Sequence, residues 1–197
     1  MQRICTSISK LGYKVFILGR SFKNSIPLGT EAYGQERISL WFQKGKPGYI
    51  ELNLRLFWGL LFKKGDAIYS VDLDTLPACW LLSKIKGLKL IHDAHEYMEE
   101  VPEVYNRLLT KKIWRFIGKT FVPQTDLAFT TSQSIADVFQ KIYNTEFGLI
   151  RNIAQLKEDE SPNPTLEKQG FWVFLGAVNQ GRGIEEFLRS RALPEFQ

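Results

Sequence analysis

The strongest constraint on how this chain can fold is its regular alternation of short apolar runs with longer amphipathic ones. Val15 to Leu18 is a continuous apolar run of strand length, of the kind buried on both faces in a parallel sheet. Ile38, Leu40 and Phe42 alternate with polar or wet positions as a second strand, and Ala67 to Val71, Leu88 to His92, Leu127 to Thr131 and Phe147 to Arg151 read as four more. Helices are expected between them. Ile4, Ile8 and Leu11 share one face of an opening helix over 2–11, and Gly12 stands where a left-handed cap would end it. Pro47 suits the first turn of a helix over 47–62, Asp74 or Thr75 would cap one over 76–86, a basic one spans 107–121, and Ser132 leads into one over 134–143. Strands alternating with helices predict an α/β fold, a Rossmann-like doubly wound parallel sheet with right-handed crossovers.

Composition narrows the class. The 197 residues are 44% apolar and 24% charged, which excludes disordered and collagen-like chains and leaves room for one or two ordinary cores. Residues 1–152 carry the alternation. Residues 153–169 turn polar, with Glu158, Asp159, Glu160, Pro162 and Pro164, and read as a linker. Residues 170–197 restart the pattern: strand 171–175, a loop with three glycines over 176–183, and a helix from Ile184. That stretch is too short to close a core alone, so it reads as the start of a second α/β domain.

Cys5 and Cys79 are far apart with no CxxC spacing, which argues against a disulfide framework or a thiolate zinc site and fits a reducing cytoplasm. The opening MQRICTSISKLGYKV lacks the apolar core and cleavage site of a secretion signal. Leu52 to Phe62 comes nearest to a membrane span, but Asn53 and Arg55 break it and it is shorter than the roughly 20 residues needed. It reads instead as a helix buried between a sheet and its neighbours. The net charge of +5 is not concentrated enough to indicate nucleic acid. Arg107, Lys111, Lys112, Arg115 and Lys119 nevertheless cluster without an acid, interleaved with Trp114 and Phe116. A solvated helix face is the plain reading, and contact with an anionic membrane surface the sharper one.

Ligands of open parallel sheets collect beyond the carboxyl ends of the strands, so the polar strand ends are the candidate site. One ends in Ser70, Val71, Asp72, Leu73, Asp74 and Thr75, the next in His92, Asp93, Ala94, His95 and Glu96, and a third in the glycine loop with Arg182. His92, His95, Asp93 and Glu96 could suggest a metal, but H-x-x-H at a strand end is not the i, i+4 pair that puts two imidazoles on one helical face. Strand alternation sends His92 toward one helix layer and leaves His95 in the cleft. There it could be a hydrogen-bonded structural residue or could orient a substrate hydroxyl. Asp74 has a capping explanation; Asp72 is free for a substrate contact. The glycine loop and following helix start would present backbone N–H groups to an anion, with Arg182 adding a cation. No G-x-G-x-x-G follows the first strand, which disfavours a dinucleotide-dependent oxidoreductase.

Taken in order, QRICTSISKLGYKVFILGR, SVDLDTLPACWLLSKIKGLKLIHDAHEYMEEVPE, TTSQSIADVFQKIY, the ending Leu149, Ile150, Arg151, Asn152, and LGAVNQGRGIEEFL resemble the family 4 glycosyltransferases. These have the GT-B fold, two Rossmann-like domains facing across a cleft. The resemblance implies that residues 1–152 form the acceptor-side domain, with His95 contacting sugar and acceptor and Asp72, Asp74 and Glu96 beside it. It implies that Gly176, Arg182 and Gly183 hold the donor diphosphate, Arg182 replacing the more usual Lys and Ala177 standing where a second Arg is often found. The implied reaction moves a sugar from a nucleotide-sugar to a hydroxyl, on a sugar or lipid-linked acceptor, with retained configuration and no required metal or other cofactor. Such a protein would be cytoplasmic, or peripheral at the inner membrane face. The family also has a first strand ahead of this opening helix, and paired glutamates beyond Glu185 and Glu186. Both are expected to be missing, giving an incomplete transferase in which neighbouring strands either gap or close up. The rival readings are a GT-B-type nucleotide-sugar epimerase and a non-catalytic α/β binding module.

Overall fold

The computed structural model of the chain describes residues 2–101, 104, 106–153 and 183–189. The described elements are α1 (Gln2–Lys10), β1 (Phe16–Ser21), β2 (Gly34–Ser39), α2 (Gly45–Leu61), β3 (Ala67–Val71), α3 (Asp72–Lys86), β4 (Lys89–Ala94), α4 (Leu108–Phe121), a short 3-10 helix (Val122–Gln124), β5 (Leu127–Thr130), α5 (Gln133–Tyr143), β6 (Gly148–Leu149) and α6 (Ile184–Arg189). Every ladder is parallel, as the alternation predicts. The fold is α/β and Rossmann-like, yet its strands form two sheets, β1-β2 and β3-β4-β5-β6. Among the described residues no ladder joins the two sheets. Ladder pairing places Ser70 beside His92 and His92 beside Ala128, which aligns the carboxyl ends of the four-stranded sheet on one rim.

Alternation along the strands decides what each face buries. Ile68, Leu90, Ala94 and Ala128 point into one core with Leu76 and Leu82 of α3, Trp114 of α4 and Phe139 of α5. On the opposite face Tyr69, Ile91 and Phe129 are only half-buried. Among the described residues the core of the four-stranded sheet therefore lies on one side. A smaller cluster of Leu40, Leu52, Leu56 and Ala78 ties α2 to α3 and the two-stranded sheet.

Several expectations need correcting. The second strand lies earlier than 38–42, and the last strand is two residues long rather than five. α3 begins at Asp72, with Val71 as N-cap and no side-chain capping bond, so neither Asp74 nor Thr75 caps it. Thr75 instead clamps the strand–helix junction: its Oγ1 accepts from the N–H of Val71 and donates to the carbonyl of the same residue. Ser132 does cap α5, accepting from Ile135 N. α2 is buried on one side alone, through Gly48, Leu52 and Leu56; Ile50, Leu54, Trp58 and Phe62 are exposed, because a two-stranded sheet offers only a narrow surface to cover. The glycine loop, including Gly176 and Arg182, and all of the linker but Ile153 lie outside the described residues; Gly183 has a φ of +73° just before α6.

Asn53, which looked like an interruption of an apolar run, repairs a break in the next helix. Pro77 sits inside α3 and has no N–H to give. Beside it, Asn53 Oδ1 accepts from Ala78 N at 3.0 Å while its Nδ2 donates to the carbonyls of Asp74 at 2.7 Å and Tyr49 at 2.9 Å. One amide side chain thus substitutes for backbone pairing that proline opens.

Candidate functional site

The site grows from a junction with no loop. β3 ends at Val71 and α3 starts at the next residue, and the sharp turn puts Asp72 at φ +55°, a left-handed conformation in a residue that carries a Cβ. Such strain costs of the order of 1–3 kcal/mol. It is offset across the sheet: Asp72 Oδ1 accepts from the backbone N–H of His95 at 2.8 Å and of Glu96 at 2.9 Å, and charge-assisted bonds of this kind contribute about 1.5–3 kcal/mol each. The strained elbow therefore latches the chain just past β4. Asp72 holds His95 in place through the backbone, and Glu96 joins the rim by its N–H with its side chain exposed.

Asp93 completes the arrangement from below. Its side chain is 1% exposed, and its Oδ2 lies 2.7 Å from the Tyr69 hydroxyl and 2.9 Å from His95 Nε2. Burial, with Asp93 adding to it, pushes the Tyr69 phenol well above its ordinary range, so Tyr69 stays protonated and donates. With Nε2 facing a carboxylate, the proton belongs on that nitrogen and Nδ1 is left as the acceptor. The His95 side chain is 26% exposed. An oriented imidazole with an open acceptor nitrogen, at the carboxyl rim of a parallel sheet, is suited to taking a hydrogen bond, or a proton, from a ligand hydroxyl.

The remaining carboxylate is Asp74. Burial and the neighbouring charge of Asp72 raise its pKa to about 6, against the pull of the Asp74 and Thr75 backbone N–H groups and of Arg20 at the end of β1. Asp72 is itself pushed upward by burial, its two backbone donors working the other way. Asp72, Asp74, His95 and Glu96 are thus brought to one rim, as their strand-end positions predict.

His92 is on the other side of the sheet. It is fully buried, neither ring nitrogen has a hydrogen-bond partner, and burial lowers its pKa to about 4. It cannot share a ligand with His95, and among the described residues no group of three or more His, Cys, Asp or Glu side chains converges as a metal site would need. Sequence reasoning missed Tyr69, and it named Asp93 as a strand-end residue without its pairing to His95. The readable signal was the D-x-H spacing, because residues two apart leave a strand on the same side.

The basic helix also differs from expectation. Trp114 is buried, packed edge-on against Tyr49 with ring centroids 5.0 Å apart, and so offers nothing to a membrane. Lys111 pairs with Glu100 at 3.0 Å, and Arg115 Nη2 lies 2.5 Å from Oε2 of the fully buried Glu99. No protein-family model matches this chain, and no curated protein matches it.

Proposed function

We propose that this chain serves glycosyl transfer, as a glycosyltransferase of the GT-B type in which the described domain forms the acceptor side of the cleft. The observation that carries the reading is the Tyr69–Asp93–His95 relay, which presents one acceptor nitrogen at the rim where such a sheet receives its ligands. In the proposed reaction the bond between the anomeric carbon of a nucleotide-sugar and its diphosphate oxygen breaks. A bond to the acceptor oxygen forms on the same face, the acceptor proton passes to the departing diphosphate oxygen, and configuration is retained. His95 Nδ1 holds a sugar hydroxyl, and Asp72 and Asp93 position that ring. Diphosphate stabilisation falls to Gly176, Arg182 and Gly183 by resemblance to the family loop, where backbone N–H groups and a cation would suit a departing anion. No metal enters the proposed step. Glycan biosynthesis at the cytoplasmic side of a membrane is the proposed setting.

The test is ligand-observed NMR with UDP-glucose, GDP-mannose and the free hexoses against wild-type protein, His95→Ala and Asp93→Asn. Saccharide binding is expected with the wild type and should fall about tenfold or more in His95→Ala, since a charge-stabilised polar contact is worth at least 1.4 kcal/mol. Asp93→Asn should weaken binding too and change the imidazole nitrogen shifts as the preferred tautomer is lost. Equal binding by wild type and His95→Ala would refute the assignment and favour a module that binds elsewhere.

A further inference from the structure

Basic residues are unevenly placed on this molecule. Residues 44–64 and 107–121, which cover α2 and α4, hold ten of the 26 basic residues and one of the 21 acidic ones. The rest of the chain is net acidic although the whole is net basic. The two helices touch through the Tyr49–Trp114 contact, and both pack against the larger core cluster. Their outer faces are apolar where a free surface would be polar.

On α2 the exposed residues Ile50, Leu54, Trp58 and Phe62 recur every four positions, a continuous stripe along the helix, with Phe62 83% and Trp58 62% exposed. Trp41, just before the helix, is 84% exposed. On α4 the outward residues Leu108, Leu109 and Phe116 alternate with Lys112 and Lys119, which have no ion-pair partner among the described residues. Lys44 and Lys46 flank one end of the α2 stripe and Lys64 the other, next to Lys63, which is paired with Glu36 at 2.8 Å. Isolated exposed apolar residues need no explanation, but a helix-long stripe with aromatic side chains and a basic surround does. No helix among the described residues is long and apolar enough to cross a membrane. The pattern is that of helices lying in the headgroup layer: apolar side chains inserted, aromatic rings at the boundary, cations against anionic lipid.

We infer that the outer faces of α2 and α4 form a docking surface for an anionic lipid bilayer. Charge complementarity selects the occupant: an interface with a second copy would bring the two basic faces together, whereas a phospholipid surface of negative potential neutralises them.

The experiment is vesicle sedimentation of the full chain with pure phosphatidylcholine and with phosphatidylcholine containing about 30% phosphatidylglycerol, with sedimentation-velocity measurement of its oligomeric state. Wild type should pellet with the anionic vesicles alone and be released by high salt. Lys112→Glu with Lys119→Glu should lower partitioning about twentyfold or more, from roughly fivefold per surface charge lost. Leu54→Glu with Trp58→Glu should abolish binding while circular dichroism stays unchanged. The charge-reversal pair alters only exposed polar positions and keeps the test decisive if the α2 pair misfolds. Equal binding to both vesicle types, wild-type binding by the charge-reversed variant, or a lipid-free dimer that the α2 substitutions split without vesicle binding would overturn the inference.

Discussion

Replacing His92 by leucine should stabilise this protein, and more so in acid. His92 sits in the middle strand pairing, between Ser70 and Ala128, fully buried with both ring nitrogens unpartnered. Each unpaired buried polar group costs about 1–3 kcal/mol, and leucine is close enough in volume to keep the packing. At neutral pH a gain of the order of 1–2 kcal/mol is therefore expected after some loss to shape mismatch. The pH dependence is sharper. The folded state holds His92 neutral down to about pH 4, whereas an unfolded histidine takes a proton near its ordinary 6.5. The unfolded chain thus binds more protons within this window, so stability is intact above pH 6.5 and is lost as pH falls toward 4. Between pH 7 and pH 5 that loss is about 2 kcal/mol for one group shifted this far. His92→Leu should lack it. Urea unfolding of both proteins at the two pH values reads the difference directly, and all other titrating groups cancel in the comparison. A variant less stable than wild type at pH 7, with an acid slope parallel to wild type, would refute the reasoning and show that the imidazole is hydrogen-bonded in solution.

Other consequences follow from the same structure. Asp74 titrates near 6 in the folded chain, above the ordinary 3.8, so the folded state holds the extra proton between those values and stability falls as pH rises through them. Asp74→Asn should remove that slope and gain about 1–2 kcal/mol above pH 6 once solvent screening is counted, as thermal melts across pH 4–7 would show; an unaltered slope would exclude Asp74 as its source. Asn53→Ala should cost about 2–4 kcal/mol, because it strands the Ala78 N–H and the Asp74 carbonyl beside Pro77. Denaturant unfolding checks it, and a loss under 1 kcal/mol would mean the helix repairs itself.

Much of the architecture is legible in the order of residues alone. Alternation between short apolar runs and amphipathic stretches is a local property, and it foretold parallel α/β structure, the approximate places of the strands and most helices, and the rim where Asp72, Asp74, His95 and Glu96 meet. The D-x-H spacing contained the Asp93–His95 pairing as well, but nothing local named Tyr69, whose hydroxyl reaches Asp93 from a neighbouring strand. Asp74 shows the opposite failure. Acid in a first helical turn has an obvious capping role, and the structure denies it because the helix begins earlier, at an elbow held by Thr75 and by the latch from Asp72.

The residue order thus determined periodicity, strand ends and the chemistry available at them, since these depend on side chains near one another along the chain. Only the tertiary structure decided which apolar residues are buried. α2 is apolar on nearly all sides, and its inner half was chosen by α3 and the narrow two-stranded sheet it packs against, while Trp114 was drawn inward by Tyr49. Burial depends on how much surface distant elements offer to cover, and that quantity is not written in any one segment.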